Sequence, residues 1–320
     1  GSVSYWDYSK NSISNNAFSQ ANGRGLGSTP NDGVCYGSKI YYVVDGESTI
    51  EVVDKNQKSI KQIKTTDLLG AAEGKSPRHI IAGDGAVWVT TYGGYVAVID
   101  TATFALRKSY KVGSYPEGLT VANGRLYVAN SDYGNGNGSI SEINLATDKV
   151  TEHKVEGSKN PQAIFIDRTG FYILDWGGYD ENWKQIGAGL KVLKAKNGKD
   201  IAEDVVANAT SATYYNGVFY TINAPSGAAS VSYSKYNATN HTTSSMKYNY
   251  DETKFSPSYI AADPVTGRLF LSFYEKVGGY ASYATAGYLK EFDASGKELH
   301  SAKIGVGPCA IFFNTKINWK

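Results

Sequence analysis

The sequence predicts an all-β fold, a seven-bladed β-propeller of four-stranded blades, on three observations: composition, a glycine ruler and a repeated order of strands and turns. Tyr (25) and Gly (35) are abundant, and no window carries an apolar i, i+3, i+4, i+7 stripe across three helical turns. Gly37, Gly85, Gly124, Gly170, Gly217 and Gly267 recur at intervals of 48, 39, 46, 47 and 50 residues. That period, with four strands in each unit, is the period of a propeller blade.

The strand order is clearest in "PRHIIAGDGAVWVTTYGGYVAVIDTATFALRKSYKVG" (77 to 113). It returns in the segments 116 to 157 and 161 to 205. Each reads as an apolar strand after Pro, a tight turn ending in Gly, a strand centred on an aromatic, a variable loop, a third strand, a polar turn and a fourth strand. The aromatic after each glycine (Tyr41, Trp88, Tyr127, Tyr172, Phe219 or Phe270) is expected to fill the wedge between neighbouring blades. Six units account for residues 31 to about 305. The seventh is expected to close from residues 1–20, as two amphipathic strands around "DYSKNS", joined to 306–320, where Pro308 restarts the repeat. Such closure leaves no long free sheet edge and makes 1–320 one domain.

The remaining composition narrows the functional classes. Lys plus Arg (32) nearly balances Asp plus Glu (30), and the basic residues are scattered, so nucleic acid is not an expected partner. No run of 18 apolar residues spans a bilayer, and the first residues lack the pattern of a signal peptide, so the chain reads as soluble or as a mature domain freed of its targeting segment. Cys35 and Cys309 are the two cysteines, too few for a disulfide scaffold; both read as ordinary buried thiols, with pairing left open. A monomer is expected.

In a propeller the innermost strand of each blade runs from the top face to the bottom. The short turns "DG" at 84–85, "NG" at 123–124 and 216–217, "DTAT", "NLAT" and "DASG" therefore lie below and look structural. The loops between second and third strands lie on top: "TTYGGY" (90 to 95), "NSDYGNGNGS" (130 to 139), "DWGGYDENWKQIGAG" (175 to 189), "NAPSGAAS" (223 to 230) and "FYEKVGGYASYATAG" (273 to 287). Long Gly-rich aromatic loops on a rigid scaffold suit a binding surface, with rings for flat contact and Asn, Ser and Gly for adaptable hydrogen bonds. Candidate ligand-binding residues there are Tyr92, Asp132, Tyr133, Trp176, Tyr179, Tyr274 and Tyr280. A second set begins the innermost strands beside the channel: Asp32, Arg78, Glu117, Gln162 and Ser258. These either anchor amide or phosphate groups of a ligand or hydrogen-bond one another and channel water.

Enzymatic chemistry is not indicated. Of four histidines, His79 alone is placed near the top channel, while His153 and His300 fall on outer strands and His241 in a polar stretch. No metal set or nucleophilic triad follows from them, and no catalytic residue or catalytic cofactor is assigned. "DYGNGNG" (132 to 138) departs from an acidic calcium loop in its glycine at the third position and its missing terminal Glu. The "NAT" strings at Asn208 and Asn237 and "NHT" at Asn240 match a glycosylation pattern that is common by chance.

The strings "YVAVIDTATFALRKSYKVGSYPEGLTVANGRLYVANS" and "VGPCAIFF" resemble the surface-layer-type seven-bladed propellers of the YVTN and quinoprotein-like repeat superfamily. The N-terminal "GSVSYWDYSKNSISNNAFSQANGRGLGSTPNDG" resembles the start of their gut-bacterial lipoprotein branch, which includes the cobalamin-binding surface lipoproteins. The resemblance implies a non-enzymatic protein that captures a cobamide as ligand on its top face. It also implies a lipid anchor at the outer membrane and delivery to a TonB-dependent outer-membrane transporter. The lipidated cysteine of that family has no counterpart among these residues. The alternatives are a surface interaction or adhesion propeller for a glycan or protein, and a propeller hydrolase or lyase, which the scattered histidines disfavour.

Overall fold

The computed structural model describes residues 1–7 and 10–315. Six four-stranded antiparallel units follow one another at residues 30–64, 77–111, 116–156, 161–207, 211–246 and 255–306, which we call the first to sixth sheets. In each, the strands lie in chain order from first to fourth, as the repeat predicts. The first strands of neighbouring sheets lie against one another from the first sheet to the fourth, and again between the fifth and the sixth, giving a propeller-like arrangement. The third and fourth sheets are further joined by a parallel pairing of their outer strands, Val155 to Asp200 and Glu156 to Ile201.

The turns match the sequence reading. Asp84–Gly85, Asn123–Gly124 and Asn216–Gly217 each place two consecutive residues at positive φ (50° and 70°, 52° and 71°, 46° and 82°). Two-residue hairpin loops of this kind match the right-handed twist of the strands they join, and Asn, Asp and Gly adopt them at least cost.

Apolar packing is organised by the gaps between sheets rather than by a single centre. One cluster joins Tyr41, Ile50 and Val52 of the first sheet to Val87, Val89 and Ile99 of the second. Equivalent clusters fill the next four gaps, and five of the six aromatics after the ruler glycines lie in or beside these clusters, while Phe270 packs against the chain ends. Rings meet across the gaps: Tyr127 touches Phe171 edge to face at 5.2 Å, and Tyr172 lies 4.8 Å from Phe219. Tyr41, Tyr172, Phe219 and Phe270 are fully buried, and Trp88 and Tyr127 partly so.

The sixth cluster packs the first sheet against the chain ends: Phe18, Leu26, Ile40, Tyr42 and Val44, with Val3 and Phe312 beside them. Strands Tyr5–Asp7 and Ser12–Ser14 pair as expected for the N-terminal piece, but Ala17–Asn22 forms a helix stopped by Gly23 at φ 65°. The hairpin leans on the sixth sheet. Trp6 meets Phe270 edge to face at 5.8 Å, and Asn15 Nδ2 donates to Lys303 O at 2.9 Å.

Residues 308–315 carry no strand and lie between the two ends of the sheet series. Ser258 Oγ donates to Pro308 O at 2.9 Å, the Cys309 thiol donates to Pro30 O at 3.1 Å, and Phe313 meets Phe270 at 5.5 Å. Phe312 covers Gly33 so closely that a Cβ there would stand 2.6 Å from its ring, which is why glycine is needed at that point. The rest of the expected closing strand, 316–320, and Tyr8 and Ser9 in "DYSKNS", lie outside the described residues. Both cysteines are free thiols. Cys35 is half-buried, and burial pushes its thiol up to about 11. The expectation that both are buried is corrected for Cys309, which is exposed in the strandless segment 308–315.

Phe312→Ala should remove the ring that links the chain end to the first sheet, costing about 2 kcal/mol for a partly buried large-to-small change. Chemical denaturation would register this as a lower midpoint at unchanged slope. An unchanged midpoint would mean that this contact contributes nothing to stability.

Candidate functional site

Five of the six first strands share a local irregularity. Register slips between Pro30 and Asp32, Pro77 and Ile80, Pro116 and Leu119, Pro161 and Ala163, and Pro257 and Tyr259. Proline has no N–H to give the ladder, and a bulge beside it re-aims the next side chains. These bulges hold Arg78, Glu117, Gln162 and Ser258, and Asp32 follows directly on the first.

In the first three sheets the re-aimed side chains meet. Arg78 Nη1 lies 2.5 Å from Asp45 Oδ2 and its Nε 3.0 Å from Glu117 Oε2, while the guanidinium stacks 4.5 Å from the centre of the Tyr92 ring. His79 Nδ1 stands 3.1 Å from Asp32 Oδ2 and its Nε2 3.6 Å from Glu117 Oε2. The Tyr92 hydroxyl donates to Glu117 Oε1. Asn31 Nδ2 donates to Arg78 O at 2.7 Å, and Ile80 N donates to Asp32 Oδ2 at 3.1 Å. Within this set Arg78 and Glu117 pair with each other and Asp32 joins them through His79, while Gln162 and Ser258 take no part.

The electrostatics follow from that pairing. Burial by itself lowers the His79 pKa, but the hydrogen bond to Asp32 and the charges of Asp32 and Glu117 outweigh it and raise the value to about 9. Burial likewise opposes the charge on Glu117, yet His79, Arg78 and Tyr92 hold its carboxyl below the usual range. Burial and the Glu117 charge raise the Tyr92 phenol, so it stays a donor. His79 is therefore a cation locked between two anions.

Above this network three tyrosines cluster. Tyr92 meets Tyr115 at 5.1 Å and Tyr133 at 6.0 Å, and Tyr115 and Tyr133 lie 5.1 Å apart. The ten-residue loop contributes Tyr133 to this arrangement. Ser131 Oγ accepts from Tyr133 N at 3.2 Å, and Asp132 and Tyr133 sit at φ 48° and 54°. Tyr115 and Trp183 are also at positive φ (49° and 60°). Bulky residues pay for that backbone, so three aromatics held there mark a constrained surface. Tyr133 is 68% exposed and Trp183 79%.

The other candidates stand apart from the network. Gln162 Nε2 donates to Asn160 Oδ1 at 2.6 Å, and Asp132 Oδ2 accepts from Asn137 Nδ2 at 3.1 Å, so both brace their own loops. Ser258 is held by Ser272 and Pro308. Trp176 donates from Nε1 to Thr210 O at 2.9 Å, bridging the fourth and fifth sheets. Beyond it the loop forms a small hairpin, Gly178–Tyr179 with Gln185–Ile186, on which Tyr179 and Trp183 lie 6.5 Å apart. Its base is tied to the fifth sheet, Gln185 N donating to Ser226 O at 2.9 Å. On the sixth sheet Tyr274 pairs with Tyr283 at 4.8 Å, and Tyr280 is 82% exposed.

Sequence reasoning omitted His79, Asp45, Tyr115, Trp183 and Tyr283 from the site. His79 follows Arg78 in a Pro-led bulge and Tyr115 directly precedes Pro116, so the prolines were the available signal. Among the described residues no group of three or more His, Cys, Asp and Glu side chains is placed to hold a metal ion, and no helix is long and apolar enough to cross a membrane.

No family model matches the chain, and no curated protein matches it in sequence. Solved structures match in fold. The chain is similar to hydrazine synthase of Kuenenia stuttgartiensis (14% identity, 82% of this chain and 76% of that one, TM-score 0.61). It is similar to the WD40 repeats of RRP9 (11%, 88% and 82%, TM-score 0.60). A functionally unknown protein of Desulfotomaculum acetoxidans aligns over 95% of this chain and 96% of its own, at 13% identity and TM-score 0.60. At such identities the likeness establishes a β-propeller fold.

The sign of the pH response follows from His79. Its folded value near 9 lies above the ordinary 6.5, so the pairing stabilises fully below about pH 6.5 and is lost as pH rises through about 9. In thermal melts the Tm gap between the native chain and His79→Gln should shrink across that window. A gap constant from pH 6 to 9.5 would contradict a histidine held charged by Asp32 and Glu117.

Proposed function

We propose that the loop face is a non-catalytic binding surface for a large, flat ligand with both apolar and amide or hydroxyl groups, and that this ligand is a cobamide. The observation that carries the reading is the set of aromatic rings held open on the loops of several sheets: Tyr133, Trp183, Tyr280 and Tyr283, all more than two-thirds exposed. Trp176, Tyr179 and Tyr274 stand beside them. Rigid rings give contact area at little entropic cost, and the Asn, Ser and Gly between them offer amide and hydroxyl partners.

The sequence resemblance supports the finer part of the reading: one domain over residues 1–320, closed as a seventh blade, monomeric and lipid-anchored at the outer-membrane surface. There it would pass cobalamin or a related corrinoid to a TonB-dependent transporter. The paired state of the network favours a second reading on one point. Because Arg78, His79, Asp32 and Glu117 already satisfy one another, a neutral glycan on the same rings meets no unpaired charge.

Isothermal titration of the chain with cyanocobalamin should show saturable one-to-one binding. Tyr133→Ala combined with Trp183→Ala should weaken it about 30-fold or more if each ring contributes as an interface anchor. No heat and no thermal stabilisation at roughly 100 μM ligand would sink the cobamide reading. Stabilisation by soluble polysaccharides, lost in the same variant, would establish the glycan one.

A further inference from the structure

Away from the loop face, the outer parts of the third and fourth sheets separate and leave a crevice of about 220 Å³, open to solvent. Its walls are Tyr127, Ile140, Val155, Phe171 and Leu193, and its polar lining is Glu142, His153, Asp200 and Lys194. Val155 and Asp200, on its lining, pair where the outer strands of the two sheets run parallel, so backbone hydrogen bonding bounds the space on one side.

The polar groups are arranged unevenly. Lys194 is turned to Glu203 at 2.6 Å, and Arg125 is bound to Glu142 Oε1. His153 Nδ1 stands 3.3 Å from Asp200 Oδ2, and its Nε2 stands 3.6 Å from Glu142 Oε2. The second distance is too long for a hydrogen bond, and Nε2 is buried with no partner. An imidazole nitrogen and a carboxylate oxygen facing each other at that separation are both satisfied by one group with several donors placed beside them. A primary ammonium has three, and apolar walls with two aromatic rings suit the body that carries it.

We propose that this crevice binds a small organic ammonium, a primary amine on an apolar body, with Glu142, Asp200 and His153 around the ammonium and Tyr127, Phe171 and Leu193 around the body. At about 220 Å³ the crevice admits one small ring and its short side chain rather than a drug-sized ligand. The site is separate from the loop face and does not rest on the cobamide reading.

The probe is 2-phenylethylamine, followed by NMR of the His153 imidazole and the Tyr127 and Phe171 rings, with 2-phenylethanol as its neutral counterpart. Saturable shifts at or below roughly millimolar amine are expected. Glu142→Gln and Asp200→Asn should each weaken binding about tenfold, as loss of a charge-assisted contact does. Ala195→Trp, at an exposed rim position that leaves the carboxylates in place, should block binding while the Tm is retained. The alcohol should bind far more weakly than the amine. Absence of saturable shifts, equal binding of amine and alcohol, or unchanged binding in the folded Ala195→Trp chain would each overturn the proposal. Cyanocobalamin titration of the same variants should be unaltered, so failure here is distinct from failure at the loop face.

Discussion

Each sheet in this molecule is apolar on both faces, and such a sheet is stable only with a neighbour on either side. That requirement governs the rest of the structure. The gap-filling clusters, with Tyr41, Tyr172 and Phe219 buried in them and Phe270 beside the chain ends, replace a single core by a series of wedges. It also explains why the chain ends matter. The outward face of the first sheet would be left bare without Phe18, Leu26 and Phe312, which come from opposite ends of the chain.

The same radial order separates stability from recognition. Tight hairpins at Asp84–Gly85 and Asn123–Gly124 are constrained by strand twist and have little freedom to vary. The loops at the other ends of those strands vary in length, from the tight turn after Thr91 to the ten-residue loop from Asn130 to Ser139. Length can accumulate there at low cost in closure entropy. The Tyr133 loop and the Trp183 hairpin use that freedom and then restrict it again with local hydrogen bonds such as Ser131 Oγ to Tyr133 N.

Where the first strands of the first three sheets meet, charge is managed by self-pairing. Three carboxylates, Asp32, Asp45 and Glu117, face Arg78 and a protonated His79 within a partly desolvated space. Leaving any one of them without its partner there would cost more than the pair gains. The network is thereby self-satisfied, and Tyr133 is the exposed ring that packs on it through Tyr92.

Repeat period, strand order, hairpin turns and wedge aromatics were legible in the sequence because each depends on neighbours in the chain: a glycine where φ is positive, an aromatic two to four residues later, a proline before a strand. The candidate site was legible in part. Tyr92 and Tyr133 were legible from their Gly-rich loops and Arg78 and Glu117 from their place at the start of the innermost strands, whereas Asp45, Tyr115 and His79 join only because adjoining sheets bring Arg78, Tyr92 and the carboxylates to them. Gln162 follows its proline as Arg78 and Glu117 do yet turns to Asn160, and Asp132 turns to Asn137 within its own loop. Sequence by itself determined the units, since periodicity and turn chemistry are local. Tertiary structure alone decided which charges meet, that the third and fourth sheets join at their outer strands, and that Phe312 covers Gly33. Those contacts join residues far apart in the chain, and their geometry is set by how the sheets are angled to one another.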